Sequence, residues 1–565
     1  MRWKIKPEPN PKQVDVLAKG LKIEPILAKL LLQRGINTFD EAKTFFRPSL
    51  DDLHDPFLMK NMTLAVERVF KALEADENIL VYGDYDVDGT TAVTLMAKYL
   101  KSLGANVATY IPDRETEGYG ISFQGIDFAN DNDCPLIIAL DCGIKAVDKV
   151  AYANEKGIDT IICDHHTPGD KLPEAKAILN PKQVDCTYPY KELSGCGIGF
   201  KLIQAINQSL EKPIEDIQSY LDLVATSIAA DIVPITGENR ILASYGLKVI
   251  NEKPSTGIKS LMTEVQKGKF SITDVVFKIA PRINAAGRLK HGQYAVELLM
   301  ENDPQKAQVM AKAIDDLNTE RKNLDQYITE EALSQIQSKL VHYEYSTVVY
   351  NPEWHKGVVG IVASRLIETR HRPTVVFTQA DDNLLVGSAR SVKGFDLYEA
   401  LEQCTDYIEQ FGGHKYAAGL RILPENLEKF RDLFEVVVKK NIKPEDLEPE
   451  VLIDSEVFLS DINHKFYRII EQMAPFGPGN MRPVFMASGL RSNGYSRTVG
   501  GNNEHLKLSI VEGANPKTYN GIAFGQGELL TLVNQPFKAV FTLQENVWRD
   551  ISTIQLNVKD IKPEE

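Results

Sequence analysis

Acidic side chains and histidines recur in this sequence at the ends of short apolar runs. The residues concerned are Asp84, Asp86 and Asp88 in GDYDVDG, Asp141 in ALDCG, Asp164, His165 and His166 in CDHHTPG, and Asp231 in AADIVP. Gathering carboxylates and imidazoles in one place is costly unless a cation neutralises them. Such oxygen and nitrogen ligands suit Mn²⁺ or Mg²⁺, and this many are enough for two ions. Two ions can clamp the attacking and leaving oxygens of a phosphoester displacement.

Two simpler motifs share part of this pattern. An EF-hand loop beginning at Asp84 needs a glutamate at its twelfth position, where the sequence has Leu95. The nucleophile motif of haloacid-dehalogenase-type phosphatases fits residues 86–90 but leaves Asp141 and the histidine pair without a role. Asp141 alone would be explained as a helix N-cap. The joint occurrence of all the motifs therefore favours a metal-dependent phosphoesterase.

Alternating helices and short apolar strands are predicted to position these side chains. The predicted strands are 78–83, 106–111, 135–140, 159–163 and 175–179. Nearly continuous apolar strands in a β-α-β order indicate a parallel sheet covered on both faces. Sites in such sheets lie at the carboxyl ends of the strands. We therefore expect the acidic residues and the histidines to converge at one edge of the sheet.

Outside these strands and helices, four further parts lie before about residue 455. They are a helical segment at 15–45 with Asn37-Thr38 as a cap, a helix-rich stretch at 197–250, a second α/β region at 265–440 with strands near 346–351, 374–379 and 383–390, and an acidic linker at 441–454. Beyond about residue 455, short strands at regular spacing predict a small barrel or sandwich.

Glycine and arginine recur in the second α/β region. The segments are PRINAAGRL, HKGVVGIVASRL, VGSARSVKGFD and FGGHKYAAGL. Glycine lets the backbone approach a ligand closely, and arginine with exposed backbone N–H groups binds phosphate. Ser388 and Arg390 lie at a predicted strand end, where such a pocket would form. Tight turns would explain any one of these segments by itself.

Composition excludes several classes of protein. The 565 residues are 43% hydrophobic, which is enough for packed cores in about three or four domains. The formal net charge of −14 gives no overall basic footprint for nucleic acid, although a basic groove can lie on an acidic molecule. No apolar run predicts a membrane span. The 6 cysteines contain no CxxC pair, so we expect buried free thiols in a cytoplasmic protein.

In their order along the chain, GDYDVDG, LDCG, DHH and AADIVP resemble the four motifs of the DHH phosphoesterase superfamily. PRINAAGRL, VGSARS and FGGHKYAAG resemble its accessory DHHA1 domain, and about residues 50–560 resemble the bacterial RecJ family of single-strand-specific exonucleases. One mild departure is Cys196 in SGCGIGFKL, where an aliphatic residue is expected.

The resemblance implies an α/β fold with a parallel-sheet DHH domain, a second α/β (DHHA1-like) domain and a C-terminal β-barrel similar to an OB fold. The implied boundaries are 1–60 for an N-terminal helical segment, 61–250 for the DHH domain with connecting helices, 251–450 for the DHHA1-like substrate-binding domain and 451–565 for the OB-fold-like nucleic-acid-binding domain. Such a barrel binds single strands through stacked aromatic side chains. Tyr495, Phe524 and Trp548 are available, but aromatic residues of this kind more often belong to the core.

The resemblance also implies an activity, namely 5′→3′ hydrolysis of single-stranded DNA with two Mn²⁺ or Mg²⁺ ions, in DNA recombination and repair. The implied metal ligands are Asp84, Asp86, Asp88, Asp141, His165 and Asp231. The implied catalytic residues are Asp141, which both ions share, and His166, which contacts the scissile phosphate. The implied substrate-binding residues are Arg114 on the path to the metals, Ser388, Arg390 and either Arg282 or Arg288 at the 5′ end, and Gly412, Gly413 and His414 across the cleft.

The resemblance implies that the protein is a monomer and that its substrate is single-stranded DNA. It also implies a single-strand-binding protein and a helicase as partners. Two alternatives remain. A DHH phosphodiesterase for short oligonucleotides or cyclic dinucleotides is typically shorter and lacks the C-terminal domain. A non-catalytic DNA-binding scaffold with a relic DHH domain loses ligand residues, whereas the ligand set is complete in this sequence.

Overall fold

The N-terminal part of the chain forms one short strand and three helices. They are β1 (Arg2–Ile5), α1 (Pro11–Leu21), α2 (Pro25–Leu32) and α3 (Phe39–Phe46). The computed structural model describes residues 1–262, 269–337, 343–380, 383–548 and 551–564. Helix α3 begins at the predicted cap, because the Thr38 hydroxyl accepts from the Glu41 N–H at 3.2 Å and the Glu41 carboxylate accepts from the Thr38 N–H at 3.0 Å.

This reciprocal cap can be tested by substitution. Thr38→Ala removes the acceptor of the Glu41 N–H, so we expect the free energy of unfolding to fall by about 1 kcal/mol. Thr44→Ala is the matched control, because Thr44 is exposed in the same helix and alanine has the higher helix propensity. Chemical denaturation followed by circular dichroism measures both variants. Equal stabilities of the two variants would show that the cap does not contribute.

The first α/β region alternates helices and strands as the sequence predicts. Its elements are α4 (Met62–Glu74), β2 (Asn78–Gly83), α5 (Val87–Ser102), β3 (Asn106–Tyr110), α6 (Phe123–Asp131), β4 (Leu136–Leu140), α7 (Val147–Glu155), β5 (Asp159–Cys163) and β6 (Ala177–Leu179). The strands are all parallel, in the order β3-β2-β4-β5-β6. Alternate residues of each strand enter two different cores: Ile138 and Leu140 face one, whereas Ile137 and Ala139 face the other. The sheet is therefore covered on both faces.

The order of the strands places a crevice beside the predicted site. The chain passes from β2 to β3 on one side and then returns to β4 on the other side of β2. Connections that leave in opposite directions open a crevice at the carboxyl ends of the two central strands. The acidic motifs that follow β2 and β4 therefore lie where a ligand would bind.

A helical region follows and connects the first α/β region to the second. Its helices are α8 (Gly195–Ser209), α9 (Leu221–Ala230), α10 (Gly237–Glu252), α11 (Thr256–Leu261), α12 (Ile272–Asp274), α13 (Ala280–Leu289), α14 (Gln293–Met300) and α15 (Pro304–Gln337). Helices α8 and α9 pack on α5. Helix α15 has 34 residues and is about 50 Å long, so it reaches from α11 and α13 to the second sheet.

The second α/β region contains a mixed sheet. Its elements are β7 (Thr347–Tyr350), α16 (Val359–Arg370), β8 (Thr374–Gln379), β9 (Leu385–Arg390), α17 (Leu397–Glu402), β10 (Gln410–His414), β11 (Ala417–Ile422) and α18 (Leu427–Asn441). The order is β10-β11-β9-β8-β7, and within it only β7 and β8 are parallel. The three strands predicted from the sequence here are confirmed, and FGGHKYAAGL forms the hairpin of β10 and β11.

The C-terminal region is a closed barrel. Its elements are β12 (Glu450–Ile453), β13 (Ser455–Glu456), α19 (His464–Gln472), β14 (Phe485–Ser492), β15 (Arg497–Val499), β16 (His505–Glu512), β17 (Asn515–Ala523), β18 (Phe537–Trp548) and β19 (Ile551–Pro563). The strand order is β13-β14-β18-β19-β17-β16-β15, and pairing of β14 with β16 closes the barrel. Residues of α1 and α2, such as Leu17 and Leu27, share its core.

One prediction is wrong in this part of the chain. The acidic segment 441–454 is not only a linker, because β12 lies within it and pairs in parallel with β1. Lys6 Nζ also lies 2.7 Å from Asp454 Oδ1. The N-terminal strand is thus joined to the segment that leads into the C-terminal barrel. No helix in the described parts of the chain is long and apolar enough to span a bilayer.

Candidate metal centre

The carboxyl ends of β2, β4 and β5 bring the predicted carboxylates and imidazoles together. Asp141 follows β4 directly, and His165 lies two residues beyond β5. His165 Nε2 lies 3.2 Å from Asp141 Oδ1, 3.5 Å from Asp231 Oδ2 and 3.9 Å from Asp88 Oδ2. Asp88 is in the first turn of α5, and Asp231 caps the carboxyl end of α9. Four separate elements therefore supply one cluster.

The donor atoms of this cluster fit a divalent cation. Two sets of three side chains have ligand atoms within 4.8 Å of one another, namely Asp141, His165 and His166, and Asp88, His165 and Asp231. Asp84 Oδ1, Asp141 Oδ1, Asp231 Oδ2 and both His165 ring nitrogens are buried and have no hydrogen-bond partner among the described residues. Buried polar atoms without partners are costly. A cation bound by these oxygens and nitrogens would remove that cost.

Burial and mutual repulsion perturb the acidities of these groups. Burial, followed by neighbouring carboxylates, raises the pKa of Asp84 and of Asp141 well above the usual carboxyl range. Burial and the charges of Asp88 and Asp86 raise the pKa of Asp231 to about 9. Burial lowers the pKa of His165, which favours the neutral imidazole that ligates metals. A nearby cation would favour the charged carboxylates.

Asp88 is held by the N-terminus of α8. The Gly195 N–H donates to Oδ2 and the Cys196 N–H donates to Oδ1, each at 2.7 Å, and the Ser227 hydroxyl donates to Oδ1 at 2.6 Å. A helix N-terminus stabilises negative charge. A Cβ atom at Gly195 would lie 2.6 Å from Asp141 Cβ, so glycine lets α8 approach both carboxylates. Cys196 acts here through its main chain, which explains why the departure from an aliphatic residue is tolerated.

Asp164 orients His166. Its Oδ1 accepts from the His166 N–H at 3.0 Å and lies 2.8 Å from His166 Nδ1, while its Oδ2 accepts from the Ile144 N–H at 2.9 Å. Burial would lower the pKa of His166, but the hydrogen bond and charge of Asp164 outweigh it, so this pKa is raised. The His166 side chain is 43% exposed and therefore accessible to a ligand.

An arginine-lined cavity of about 480 Å³ lies next to this cluster. Its lining includes Arg114, Arg288, Lys356, Ser388, Arg390 and Arg421. Arg390 Nη1 donates to Ser388 Oγ at 3.1 Å, and Arg288 Nη1 donates to the Gly357 carbonyl at 3.2 Å. Burial, then the charge of Arg114, lowers the pKa of Arg288 to about 10, and the same causes lower the pKa of Arg390. Guanidinium groups that repel one another would be stabilised by a bound anion.

Close packing joins the cavity to the metal cluster. The Arg114 guanidinium lies 5.0 Å from the centre of the Tyr85 ring, and Tyr85 stands between Asp84 and Asp86. A Cβ atom at Gly287 of α13 would lie 2.5 Å from the Tyr85 carbonyl oxygen, so α13 packs directly against the GDYDVDG motif. The Glu115 carboxylate lies 2.7 Å from Lys356 Nζ, which ties the loop after β3 to the second α/β region.

Comparison with known proteins identifies the family. The models of the DHH family N-terminal domain, the DHHA1 domain and the RecJ OB domain match residues 78–228, 338–440 and 453–560. The single-stranded-DNA-specific exonuclease RecJ of Bacillus subtilis is 36% identical, over 99% of this chain and 70% of its own length. The chain belongs to the RecJ family.

Solved structures agree with this assignment. The crystal structure of RecJ from Thermus thermophilus in complex with Mn²⁺ matches with a TM-score of 0.86 and 27% identity, covering 100% of this chain and 80% of that one. The corresponding structure in complex with Mg²⁺ matches with a TM-score of 0.80 and 27% identity, covering 100% of this chain and 79% of that one. The fold class expected from the sequence is confirmed.

The RecJ-family chain places most of the predicted substrate-binding residues around the cleft. Arg114, Arg288, Ser388 and Arg390 line the cavity. Arg282 does not: its Nε donates to Asp315 Oδ1 at 2.8 Å, and it lines a different cavity. Of the two arginines left open by the sequence, the structure brings only Arg288 to Ser388 and Arg390.

The hairpin with Gly412, Gly413 and His414 lies beside β9, because Ala417 of β11 is paired with both His414 and Arg390. These three residues end β10 and are exposed. Burial and then the charges of Arg390 and His166 lower the pKa of His414. That His414 contacts the substrate across the cleft stays a prediction.

Sequence reasoning missed several residues of the site. Asp164 is visible in the CDHHTPG motif, but its role in orienting His166 is not. Ser227 lies inside α9 and has no motif of its own. In the RecJ-family barrel, Tyr495 and Phe524 are 76% and 58% exposed, so the expectation that they belong to the core is wrong. The side chain of Trp548 lies outside the described residues.

Proposed function

We propose that this RecJ-family chain is a single-stranded-DNA-specific exonuclease that hydrolyses phosphodiester bonds in the 5′→3′ direction and acts in DNA recombination and repair. The observation that carries the proposal is a buried carboxylate–imidazole cluster beside an arginine-lined cavity. The name of the B. subtilis relative and the cations in the T. thermophilus structures support it.

The proposed cofactors are two divalent cations, Mn²⁺ or Mg²⁺. The proposed ligands are Asp84, Asp86, Asp88, Asp141, His165 and Asp231. When bound, such cations stabilise developing negative charge and lower the pKa of water. Asp141 is proposed as the shared ligand, because its Oδ1 lies 3.2 Å from Nε2 of His165, the residue that belongs to both sets of neighbouring ligand atoms.

Other residues of the chain are proposed to hold the strand. His166, oriented by Asp164, presents its half-exposed ring to the scissile phosphate. Ser388, Arg390 and Arg288 bind the phosphate of the 5′ terminus, and Arg114 narrows the path between that pocket and the cluster. A phosphodiester looks similar from either end, so the direction of digestion has to come from the pocket that recognises the terminus.

We propose a corresponding division of labour among the predicted domains. Residues 61–250 carry out the chemistry, residues 251–450 seat the terminus, and residues 451–565 hold the incoming strand. The cluster and the cavity are both built from one chain, which supports a monomer. A single-strand-binding protein and a helicase are the proposed partners, because a single-strand-specific enzyme needs its substrate unwound and delivered.

One set of substrates tests this function directly. With Mn²⁺ we expect degradation of a single strand and of a duplex with a 5′ single-stranded tail, and resistance of a blunt duplex and of a 3′ tail. EDTA should stop the reaction, and rising salt should slow it because phosphate contacts release counterions. Gel analysis of 5′-labelled and 3′-labelled strands distinguishes the direction. Equal digestion of blunt duplex and single strand would contradict the narrow path.

A further inference from the structure

The loop between β3 and α6 reaches both the arginine-lined cavity and the metal cluster. Arg114 lines the cavity, and Tyr119, five residues later, reaches the cluster. Between them Glu117 fixes the loop, since its Oε1 accepts from the Asp113 N–H at 2.8 Å and its Oε2 accepts from the Ser122 hydroxyl at 2.5 Å. The two functional side chains therefore project from one anchored segment.

The Tyr119 hydroxyl contacts two members of the cluster. It lies 3.1 Å from the main-chain carbonyl oxygen of Asp141 and 3.2 Å from each ring nitrogen of His166. A carbonyl oxygen can only accept, so the single phenol proton is donated to Asp141. Because His166 Nδ1 faces Asp164 Oδ1 at 2.8 Å, Nε2 is the ring nitrogen that can donate to the phenol oxygen or to a ligand. One hydroxyl thus links the main chain of Asp141 to the ring that is proposed to meet the phosphate.

The main chain of Asp141 needs such support. Its φ is +59°, a left-handed conformation that is unfavourable for a residue other than glycine and persists only where its surroundings enforce it. Its N–H donates to the Cys163 carbonyl at 2.9 Å, which fixes one side of the residue. The Tyr119 hydroxyl fixes the other side through the carbonyl. Together these bonds hold the direction in which the Asp141 carboxylate points.

Local backbone conformation aims Tyr119 at the cluster. Gly118 and Gly120 flank it with φ values of +82° and +86°, which turn the chain inward on both sides. The Tyr82 hydroxyl donates to the Gly120 carbonyl at 2.8 Å and secures the end of the turn on β2. The Tyr119 residue is 55% exposed, yet its hydroxyl lies within the site.

We propose that Tyr119 is a positioning residue, which fixes the Asp141 main chain and the His166 ring through its hydroxyl. Because it shares the anchored loop with Arg114, it also keeps the cation ligands in register with the pocket for the 5′ end. This role rests on the proposed function. Hydrogen bonds to metal ligands from such outer residues typically contribute about 10–100-fold in metal affinity or activity.

Tyr119→Phe tests the role, because it removes the hydroxyl and keeps the ring. Isothermal titration with Mn²⁺ should show an affinity about 10–100-fold weaker than wild type, and kcat on a 5′-phosphorylated strand should fall by a similar factor. KM for that strand should not change. Tyr152→Phe is the matched control, since the Tyr152 hydroxyl donates to Asp127 Oδ1 at 2.9 Å in the same region but away from the cluster. It should bind Mn²⁺ as wild type does.

Mn²⁺ affinity and KM together distinguish a positioning role of Tyr119 from direct contact with the substrate. Wild-type Mn²⁺ affinity in Tyr119→Phe would overturn the proposal. A raised KM with unchanged Mn²⁺ affinity would also overturn it, because the hydroxyl would then contact the substrate instead. Arg114→Gln, on the same loop, should raise KM and leave Mn²⁺ affinity unchanged. If the wild type cleaved no strand, the proposed function would fail, while the Mn²⁺ titrations would still decide whether Tyr119 positions the ligands.

Discussion

Asp141→Ala should abolish strand cleavage while single-strand binding persists. The carboxylate belongs to the cluster, 3.2 Å from His165 Nε2, and its Oδ1 has no hydrogen-bond partner among the described residues. If Asp141 is shared by both cations, as proposed, removing it should cost several kcal/mol of the barrier, or about 10³-fold or more in rate. Single-turnover cleavage of a 5′-phosphorylated strand with Mn²⁺ measures the loss, and fluorescence anisotropy without divalent cations measures binding.

The matched control for this change is Asp148→Ala. Asp148 also follows β4, but its side chain is 63% exposed and pairs with Lys149 at the surface. A surface pair of this kind contributes little, so activity should stay at the wild-type level. Titration with Mn²⁺ should show fewer bound ions in Asp141→Ala and an unchanged number in the control. Activity close to wild type in Asp141→Ala would rule out its role as a shared ligand.

The positions of the strands, and the edge of the sheet at which the cluster lies, could be predicted because both depend on short stretches of sequence. The buried strands β2, β4 and β5 are short apolar runs, and the metal-competent residues follow each of them within five positions. Parallel strands have their carboxyl ends at the same edge, so the convergence follows from the fold class. Asp231 is different: it ends α9 and not a strand of the sheet, so the shared edge of the strands does not predict that it joins the cluster.

Contacts between distant segments could not be predicted. Strand β1 is four residues long and mixed in polarity, and its partner β12 lies about 450 residues further along the chain. The role of Gly195 depends on how closely α8 approaches Asp141. The choice between Arg282 and Arg288 depends on α13 being a helix. Six positions correspond to a rotation of about 240° there, so the two side chains face different directions.

Arg390→Ala should remove the preference for a 5′-phosphorylated end. The Arg390 guanidinium donates to Ser388 Oγ and lines the same cavity as Arg288 and Arg114, with its own pKa lowered by burial and by the charge of Arg114. Loss of a charge-assisted hydrogen bond to a terminal phosphate should lower kcat/KM on 5′-phosphorylated strands by a factor equivalent to about 1.5–3 kcal/mol. Binding of long strands should change much less, because the barrel is proposed to hold them independently of Arg390.

Comparing 5′-phosphate with 5′-hydroxyl strands tests whether the cavity around Arg390 binds the terminal phosphate. In the wild type kcat/KM should be higher for the phosphorylated strand, and in Arg390→Ala the two values should converge. Arg282→Ala should keep the wild-type ratio, because Arg282 pairs with Asp315 outside the cavity. If Arg282→Ala lowered the ratio of the two kcat/KM values and Arg390→Ala left it normal, the 5′ terminus would instead bind in the cavity that Arg282 lines. Digestion by the wild type from the 3′ end would mean that this arginine cluster does not set the direction of the enzyme.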